Sequence, residues 1–397
     1  MKNNKLADLL FISVFLIFIL IVATVTIIKP KAQVSYYENR TLAGQPGFET
    51  RAVLDIDYFQ KWEKFFTDHA AGRATLVRIG TLTDLSIIKR PVVNNVVTSD
   101  GILLGFNAYE TVSAELIRAQ SRAIVDELSA FDSVVSSYGG VFYFVTVPEH
   151  YSWYFDKYPW YLNNRSEYTQ ASLEVFLSDI SGTGIKHIGM GEILAGLSEP
   201  PAVFSATDHH YTFRSAYETY RAIVNRINDD NVFYLPLYGE FDLTFLILEN
   251  PFLGSRMRRL LGIPGLTERI EIAFPNEEVQ FTRSDNGKLR ETPGVYSLPY
   301  NVWDVVDYTV YMGGDIPETV IDTGRDLPSI LIYGDSSTNA VECLMYLSGG
   351  VFRSIDLRHY KDMSLSEYVE MYKPDIVIGI RGYEVLLEKT GNGVLMS

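Results

Sequence analysis

The chain begins with a long apolar segment. Residues Leu9–Ile28, LLFISVFLIFILIVATVTII, carry no charged side chain. A helix of that length rises about 30 Å, which is the thickness of a bilayer's hydrocarbon core. No small-residue cleavage pattern follows it, so we predict an uncleaved transmembrane anchor spanning about residues 6–28. Lysines flank both ends of this segment almost equally, so the positive-inside rule says little about its orientation in the membrane. Because few residues precede the anchor, we expect the large domain to be extracytoplasmic, with a cytoplasmic domain as the alternative.

The segments that follow show first helical and then strand-like spacing. Residues 29–47 are polar and irregular, which is typical of a stalk. Leu54–Phe66 has apolar residues at helical spacing, and Thr111–Ser137 is a longer helical pattern. Between them, Val92–Phe106 predicts two strands joined by a turn at Asp100-Gly101.

Three continuous apolar runs predict the centre of the fold. Val141–Val147 (VFYFVTV), Ser329–Tyr333 (SILIY) and Asp375–Ile380 (DIVIGI) have the composition of strands buried on both faces. They alternate with helical patterns, which predicts an α/β fold with a mostly parallel sheet flanked by helices. The shorter predicted strands are Ile185–Ile188 and Ser354–Leu357, and the later helices are Phe213–Ile227, Asn339–Leu347 and Leu365–Tyr372.

One region interrupts this alternation. Leu235–Leu298 is rich in proline, glycine and aromatic residues and has no helical period, so we predict an irregular insertion with some β-structure. The domain prediction is therefore an anchor segment over 1–28, a stalk and helical lead-in over 29–90, and a main α/β domain over 91–397. The insertion occupies 235–300 of that last domain.

Composition and charge narrow the class of protein. A hydrophobic content of 47% describes a globular chain of 397 residues. The formal net charge is -15, from 34 Lys+Arg against 49 Asp+Glu, which argues against a nucleic-acid partner because phosphate binding needs a basic face. Cys343 is the only cysteine, so no intramolecular disulfide and no thiol metal cluster can form.

A candidate nucleophile follows the second buried run. Gly334-Asp335-Ser336 comes directly after the strand and directly before a helix. Ligands of open α/β sheets bind at the carboxyl ends of the strands, and free N–H groups at a helix N-terminus stabilise an oxyanion. The alternative is a plain turn in which Ser336 caps the helix.

A candidate base lies more than a hundred residues earlier. Asp208-His209-His210 precedes a predicted helix, and in an extended segment residues two apart share a face. Asp208 and His210 would then face together, with His209 turned away. That pattern suits a carboxylate that orients an imidazole, but a metal site and helix capping by Thr207 or Asp208 remain open on local grounds.

Several short motifs, taken in order, resemble the DHHW family of membrane-anchored bacterial proteins. This family is related to the SGNH-like proteins that O-acetylate alginate and other exopolysaccharides. The chain departs from the family pattern where Ile102 replaces Trp, His150 replaces Lys and Tyr211 replaces Trp. The matching motifs are Glu38-Asn39-Arg40 with Leu42, Asp68-His69 with Arg73, Asp100-Gly101, Pro148, Asp208-His209-His210-Tyr211, Asp307-Tyr308 with Gly313-Gly314, Gly334-Asp335-Ser336, and Ile355-Asp356-Leu357-Arg358.

The resemblance implies an SGNH-hydrolase-like fold with a permuted motif order and a Ser-His-Asp triad. By this resemblance Ser336 is the nucleophile, His210 the general base and Asp208 its orienting carboxylate, with Ser337 as an alternative nucleophile. No cofactor and no metal are implied. Candidates for oxyanion or substrate contacts are Asn339, Arg358 and Tyr211.

The function that the resemblance implies is O-acetylation of a cell-surface or secreted polysaccharide through an acyl-serine. The acyl donor would act through a polytopic membrane O-acyltransferase, beside which the anchor would hold the domain. Two alternatives stay open. One is a carbohydrate esterase that uses the same triad with water as acceptor. The other is a non-catalytic polysaccharide-binding scaffold in which the triad is not assembled.

Overall fold

The chain folds into two compact units. The computed structural model describes residues 5–35, 37–38, 40–47, 56–107, 112–162, 165–197, 203–388 and 395–396. One unit comprises Met1–Asn94 with Met257–Pro264, and the other comprises Asn95–Arg256 with Gly265–Ser397. Asn39, Leu54 and Thr111, which belong to predicted motifs or helices, lie outside the described residues.

The smaller unit contains the apolar N-terminal helix. Within the described residues, Ala7–Ile28 is the one helix long and apolar enough to cross a membrane, by length and composition. In this unit the elements are α1 (Lys5–Ile28), β1 (Val34–Ser35), β2 (Arg40–Thr41), α2 (Ile56–His69) and α3 (Arg73–Thr83), which continues into a π-helical turn at Asp84–Ile88.

Two ion pairs explain why distant motifs of the smaller unit belong together. The Arg40 guanidinium contacts the buried Asp68 carboxylate at 2.5 Å, and Arg73 contacts Glu38 at 2.6 Å. Hydrogen bonding by Arg40 holds the pKa of Asp68 well below its usual range. Both motifs therefore have a structural role in this unit, because each side chain neutralises a partner from the other segment.

The larger unit begins with a hairpin and contains the remaining elements. Asp100 and Gly101 adopt left-handed φ values of 44° and 80°, as a tight hairpin turn requires, and confirm the predicted turn. In this unit the strands are β3 (Val96–Ser99), β4 (Ile102–Gly105), β5 (Val141–Val147), β6 (Lys186–Gly189), β7 (Leu243–Ile247), β8 (Glu271–Pro275), β9 (Thr282–Asp285), β10 (Lys288–Leu289), β11 (Glu318–Asp322), β12 (Ile330–Gly334), β13 (Val351–Asp356) and β14 (Ile376–Gly382).

Helices connect these strands. They are α4 (Ala114–Ser137), α5 (His150–Trp153), α6 (Ser166–Ser181), α7 (Met190–Ala195), α8 (Phe213–Asp229), α9 (Ser255–Arg259, shared with the smaller unit), α10 (Asn339–Met345) and α11 (Leu365–Tyr372).

An eight-stranded sheet forms the centre of the larger unit. Its order is β10-β9-β11-β13-β12-β14-β5-β6, and the five strands from β13 to β6 are parallel. The predicted mostly parallel sheet is confirmed. Because β12, β14 and β5 lie inside it, they need apolar residues on both faces, which is why they appear as continuous hydrophobic runs.

Alternate residues of the central strands pack into two cores. On β5, Phe142 and Phe144 face the core that contains α4, α6 and α11. Tyr143 and Val145 face the other core, which contains α8 and α10. Helices therefore cover both faces of the sheet, and the carboxyl ends of the parallel strands meet at one edge.

The region predicted as an irregular insertion is more ordered than its sequence suggests. Strands β7 and β8 pair antiparallel as a separate ribbon, whereas β9 and β10 extend the main sheet through β11. These strands have two to five residues, which is too short for a two-residue period to stand out.

We expect Gly379→Ala to destabilise the larger unit. A Cβ at Gly379 on β14 would lie 2.5 Å from the ring and hydroxyl of the fully buried Tyr333 on β12. Overpacking of this kind costs about 1–3 kcal/mol. Gly184→Ala is the matched control, because nothing lies within 4 Å of its added Cβ. Urea unfolding of the full chain in detergent, followed by fluorescence, measures both. Equal midpoints would contradict the packing argument.

Candidate active site

The turn between β12 and α10 presents Ser336. Gly334 precedes it, and an added Cβ there would meet the Thr338 side chain and lie 2.8 Å from the backbone oxygen of Ile380. Only glycine fits between these groups. The Asp335 carboxylate accepts hydrogen bonds from the Ser337 N–H at 2.9 Å and from the Ser337 hydroxyl at 2.6 Å. Asp335 is thus the turn former, as its position before the helix suggests.

Two buried side chains, Arg381 and Tyr211, contact this turn and support it. Arg381, at the end of β14, lies with Nη1 3.6 Å from Oδ2 of Asp335. Burial acts to raise the pKa of Asp335, but the Arg381 charge and the Ser337 hydrogen bonds outweigh it and lower that pKa. Tyr211 donates its phenolic hydrogen to the backbone oxygen of Ser337. Tyr211 is 3% exposed, so its ring supports the turn and offers no surface on which a sugar could stack.

His210 connects Ser336 to Asp208. Its Nε2 lies 2.9 Å from Ser336 Oγ, and its Nδ1 lies 3.0 Å from Asp208 Oδ1. An Nδ1–H that donates to the carboxylate leaves Nε2 free to accept the serine hydroxyl hydrogen. This is the arrangement that activates a serine nucleophile.

Further donors hold Asp208 in place, at its carboxylate and at its backbone oxygen. Its Oδ2 accepts the Ser255 N–H at 2.9 Å, and Arg256 donates to the Asp208 backbone oxygen at 2.9 Å. Burial acts to raise the pKa of Asp208, but the two neighbouring imidazoles hold it well below its usual range. Burial, followed by the charge of His209, lowers the pKa of His210. The pair therefore combines an anionic carboxylate with a neutral imidazole, as a general base requires.

The position of His209 differs from the prediction. The backbone over 206–210 is a series of bends instead of an extended strand, so the two-residue period does not apply. His209 Nδ1 lies 2.8 Å from Asp208 Oδ1 and 2.9 Å from Ser255 Oγ. The prediction that His209 turns away from Asp208 is therefore wrong. Of the two imidazoles, His210 is the one with a described contact to Ser336.

The capping prediction is also wrong. Helix α8 begins at Phe213, and Thr212 is its N-cap, with its hydroxyl accepting from the Ser215 N–H. Thr207 instead donates its N–H at 2.8 Å to the Glu268 carboxylate, which also accepts the Ala206 N–H at 2.7 Å. Glu268 holds the segment before the histidines in place, and no sequence motif pointed to it.

Asn339 and Arg358 meet at a single carboxylate. Asn339 Nδ2 donates to Asp315 Oδ1 at 3.2 Å, and Arg358 contacts Asp315 Oδ2 at 2.8 Å. Arg358 also pairs with Asp356 at 2.9 Å. In the described part of the chain, the Ser336 N–H has no hydrogen-bond partner, which leaves it available as a donor for an oxyanion.

Among the residues that the structure describes, two groups of side chains have metal-ligand chemistry, and both are engaged in other contacts. In Asp208-His209-His210 the ring nitrogens of His210 already contact Asp208 and Ser336. In the second group, Asp315 and Asp356 are bridged by the Arg358 guanidinium. A cation at either place would have to displace these contacts.

His150, which stands where the DHHW pattern has a lysine, is a core residue. It is 1% exposed, its Nε2 lies 3.3 Å from the Ser205 backbone oxygen, and its ring packs against Tyr154. Burial lowers the pKa of His150 well below the ordinary value, so the residue supplies no charge to the site.

Tyr308 is a site residue to which sequence reasoning assigned no role. Its ring lies parallel to the His210 imidazole, at 3.6 Å between centroids and 4° between planes. His209 lies on the same imidazole at 3.8 Å. Burial raises the pKa of the Tyr308 phenol well above its usual value, so the ring stays neutral. The available signal was the Asp307-Tyr308 motif.

The comparison with solved structures defines the fold class. Bacillus cereus PatB1, solved with a sulfonyl adduct, superposes with a TM-score of 0.61 at 22% identity over 74% of this chain and 96% of that chain. A DHHW family protein from Eubacterium siraeum superposes with a TM-score of 0.57 at 17% identity over 77% and 97%. The O-acetyltransferase domain of Pseudomonas putida AlgJ reaches 0.47 at 11% identity over 74% and 93%.

The first two likenesses show the fold. The chain has the mostly parallel α/β architecture, flanked by helices, that the resemblance to the DHHW family implied. No protein-family model matches the sequence. No curated protein matches it either.

We expect the Tyr308 ring, and not its hydroxyl, to position His210. Tyr308→Phe keeps the parallel ring and should react with a serine-directed fluorophosphonate at the parent rate. Tyr308→Leu removes the stack and should slow labelling of Ser336 about 2- to 10-fold, the range of aromatic pair energies. Thermal unfolding of both variants checks that they are folded. A Leu variant that is labelled at the parent rate would exclude this role.

The acidic limb of the labelling rate should lie below pH 6.5. Only neutral His210 accepts the serine proton, and its pKa is lowered from the ordinary 6.5, so activity persists at mildly acidic pH and is lost as pH falls through that pKa.

His209→Asn removes a charge that lowers the pKa of His210 and should move the acidic limb to higher pH. Asp208→Asn should move it downward and reduce the rate about 100-fold or more. Labelling rates between pH 4 and 8 test this, and a limb above 6.5 in the parent would contradict it.

Proposed function

We propose that this protein is a membrane-anchored, extracytoplasmic O-acetyltransferase that modifies a cell-surface or secreted polysaccharide through an acyl-serine intermediate. The observation that carries the proposal is the continuous hydrogen-bonded path from Asp208 through His210 to Ser336, with heavy-atom distances of 3.0 and 2.9 Å. That path also argues against the scaffold alternative, which requires an unassembled triad.

In the first step, Ser336 Oγ attacks the carbonyl carbon of the acyl donor while His210 Nε2 takes the hydroxyl proton. The tetrahedral oxyanion accepts a hydrogen bond from the Ser336 N–H. The bond to the donor's leaving group then breaks, and the leaving group takes the proton from His210. Asp208 stays ionised throughout and stabilises the imidazolium.

In the second step, a sugar hydroxyl attacks the acyl-serine carbonyl. His210 Nε2 takes the hydroxyl proton, and the new tetrahedral species uses the same N–H donor. Collapse releases the sugar ester, and Ser336 Oγ recovers its proton from His210. Water in place of the sugar hydroxyl gives the esterase reaction with the same residues, so the acceptor alone separates the two activities.

The likeness to PatB1 and the N-terminal helix support the remaining parts of the proposal. PatB1 was solved with a sulfonyl adduct, and by analogy we expect Ser336 to react with a sulfonyl fluoride. Helix Ala7–Ile28 is long and apolar enough to anchor the chain. An anchored domain would receive acyl groups from a polytopic membrane O-acyltransferase, which is the partner implied by the DHHW resemblance.

We expect Ser336→Ala to abolish both sulfonyl labelling and polysaccharide O-acetylation in the host strain. Ser337→Ala is the matched control, because Ser337 is the alternative nucleophile and its hydroxyl donates to Asp335 at 2.6 Å. The control should keep both activities within about 10-fold, as loss of one hydrogen bond implies. Ester content of the purified polymer and mass spectrometry of the labelled protein provide the measurements.

The opposite outcomes are equally clear. Unchanged polymer acetylation in a Ser336→Ala strain with normal protein levels would reject the proposal. Acyl groups that pass from the purified enzyme to water, even when glycan is added in excess, would assign the esterase activity instead.

A further inference from the structure

An exposed apolar stretch lies next to the site in sequence. Leu298–Val305 reads LPYNVWDV, in which Tyr300 is 98% exposed and Trp303 is 73% exposed. Leu298, Val302 and Val305 are also exposed. Large contiguous apolar patches are uncommon on the solvent-exposed surface of proteins and often mark sites of interaction.

Hydrogen bonds hold the backbone of this stretch. The buried Asn250 side chain donates to the backbone oxygens of Asn301 at 2.7 Å and Asp304 at 2.9 Å. The Asp304 carboxylate in turn accepts the Asn301 N–H at 3.2 Å. The aromatic side chains therefore project from a fixed backbone, which reduces the entropy lost when a ligand binds them.

One end of the stretch pairs with the segment that carries Tyr308, and the other end is held by Pro251 and continues into that segment. The Ser297 N–H donates to the Val310 oxygen at 2.8 Å, and the Val306 N–H donates to the Pro251 oxygen at 3.0 Å. Tyr308 follows and lies against His210. Leu298–Val305 is thus a loop that leads directly into the segment whose Tyr308 packs against the triad histidine.

The charge of the loop and of its neighbours in sequence restricts its ligand. No lysine or arginine occurs between Glu291 and Val310, whereas Asp304 and Asp307 are acidic. The whole chain carries a net charge of -15. A polyuronate or an anionic lipid surface would be repelled by this charge, while an uncharged polymer would not.

We infer that Leu298–Val305 is the docking surface for the polysaccharide acceptor, and that this acceptor is an uncharged glycan. Tyr300 and Trp303 offer flat faces for the C–H faces of sugar rings, and their polar atoms remain available for hydroxyl groups. Because the loop continues into Tyr308, whose ring lies against His210, a polymer bound there would place a hydroxyl on the triad side of the loop. This inference rests on the proposed function, of which it names the acceptor class.

Binding without turnover tests the inference. The full chain with Ser336→Ala, in detergent, is titrated with the host's surface polysaccharide after ion exchange has divided it into uncharged and anionic fractions. We expect binding to the uncharged fraction, and an affinity about 10-fold lower when Tyr300→Ala and Trp303→Ala are added. Phe241→Ala is the matched control, because Phe241 is another 98% exposed aromatic residue of the same unit.

Each other outcome overturns the inference. Binding to the anionic fraction alone, binding to neither fraction, or an unchanged affinity in the double variant would each do so. Quenching of Trp303 fluorescence by brominated phosphatidylcholine, taken in nanodiscs as the difference from Trp303→Phe, would assign the loop to lipid. Sulfonyl labelling of Ser336 in the Tyr300→Ala/Trp303→Ala protein should stay at the parent rate, so failure of the loop and failure of the triad remain distinguishable.

Discussion

The imidazole of His210, held between the Asp208 carboxylate and the Ser336 hydroxyl, is the interaction on which the rest of the site depends. Both ring nitrogens are used, at 3.0 and 2.9 Å, in a buried environment. Burial strengthens these hydrogen bonds and also makes any unmatched charge costly. The surrounding structure therefore has to supply matching donors: the Ser255 N–H serves the Asp208 carboxylate, and Arg256 serves the Asp208 backbone oxygen. The Tyr308 ring packs parallel to the imidazole and so restricts its plane. This restriction matters because a base must approach its nucleophile in one orientation.

The carboxyl edge of the parallel sheet explains how segments so far apart in sequence meet. Strand β12 delivers Ser336 and strand β14 delivers Arg381, whose guanidinium compensates the charge of the partly buried Asp335. The nucleophile turn is consequently held by the sheet itself, and its position does not depend on a mobile loop. The proposed acceptor, by contrast, would bind Leu298–Val305, a loop that does not belong to the sheet.

Much of the fold was predictable because strong local signals agreed with it. Central strands such as Val141–Val147 appear as continuous apolar runs, since both faces are buried. The region 235–300 was predicted as irregular because strands of two to five residues have no measurable period. In the site, the residue types of Asp208, His210 and Ser336 were recognisable from their motifs. The period-two argument nevertheless failed for His209, because bends over 206–210 bring both imidazoles to the same carboxylate.

The sequence alone therefore determined the apolar N-terminal helix, the buried strands and the identity of the residues that could carry the chemistry. These depend on composition and on spacing within one segment, which the chain displays directly. Only the tertiary structure decided which histidine reaches Ser336, that Thr212 caps α8, that Glu268 and Tyr308 support the triad, and that Tyr211 lies beneath the nucleophile turn. Except for the local Thr212 cap, each of these is a contact between segments distant in sequence, and such contacts exist only once the sheet brings the carboxyl ends of its strands together.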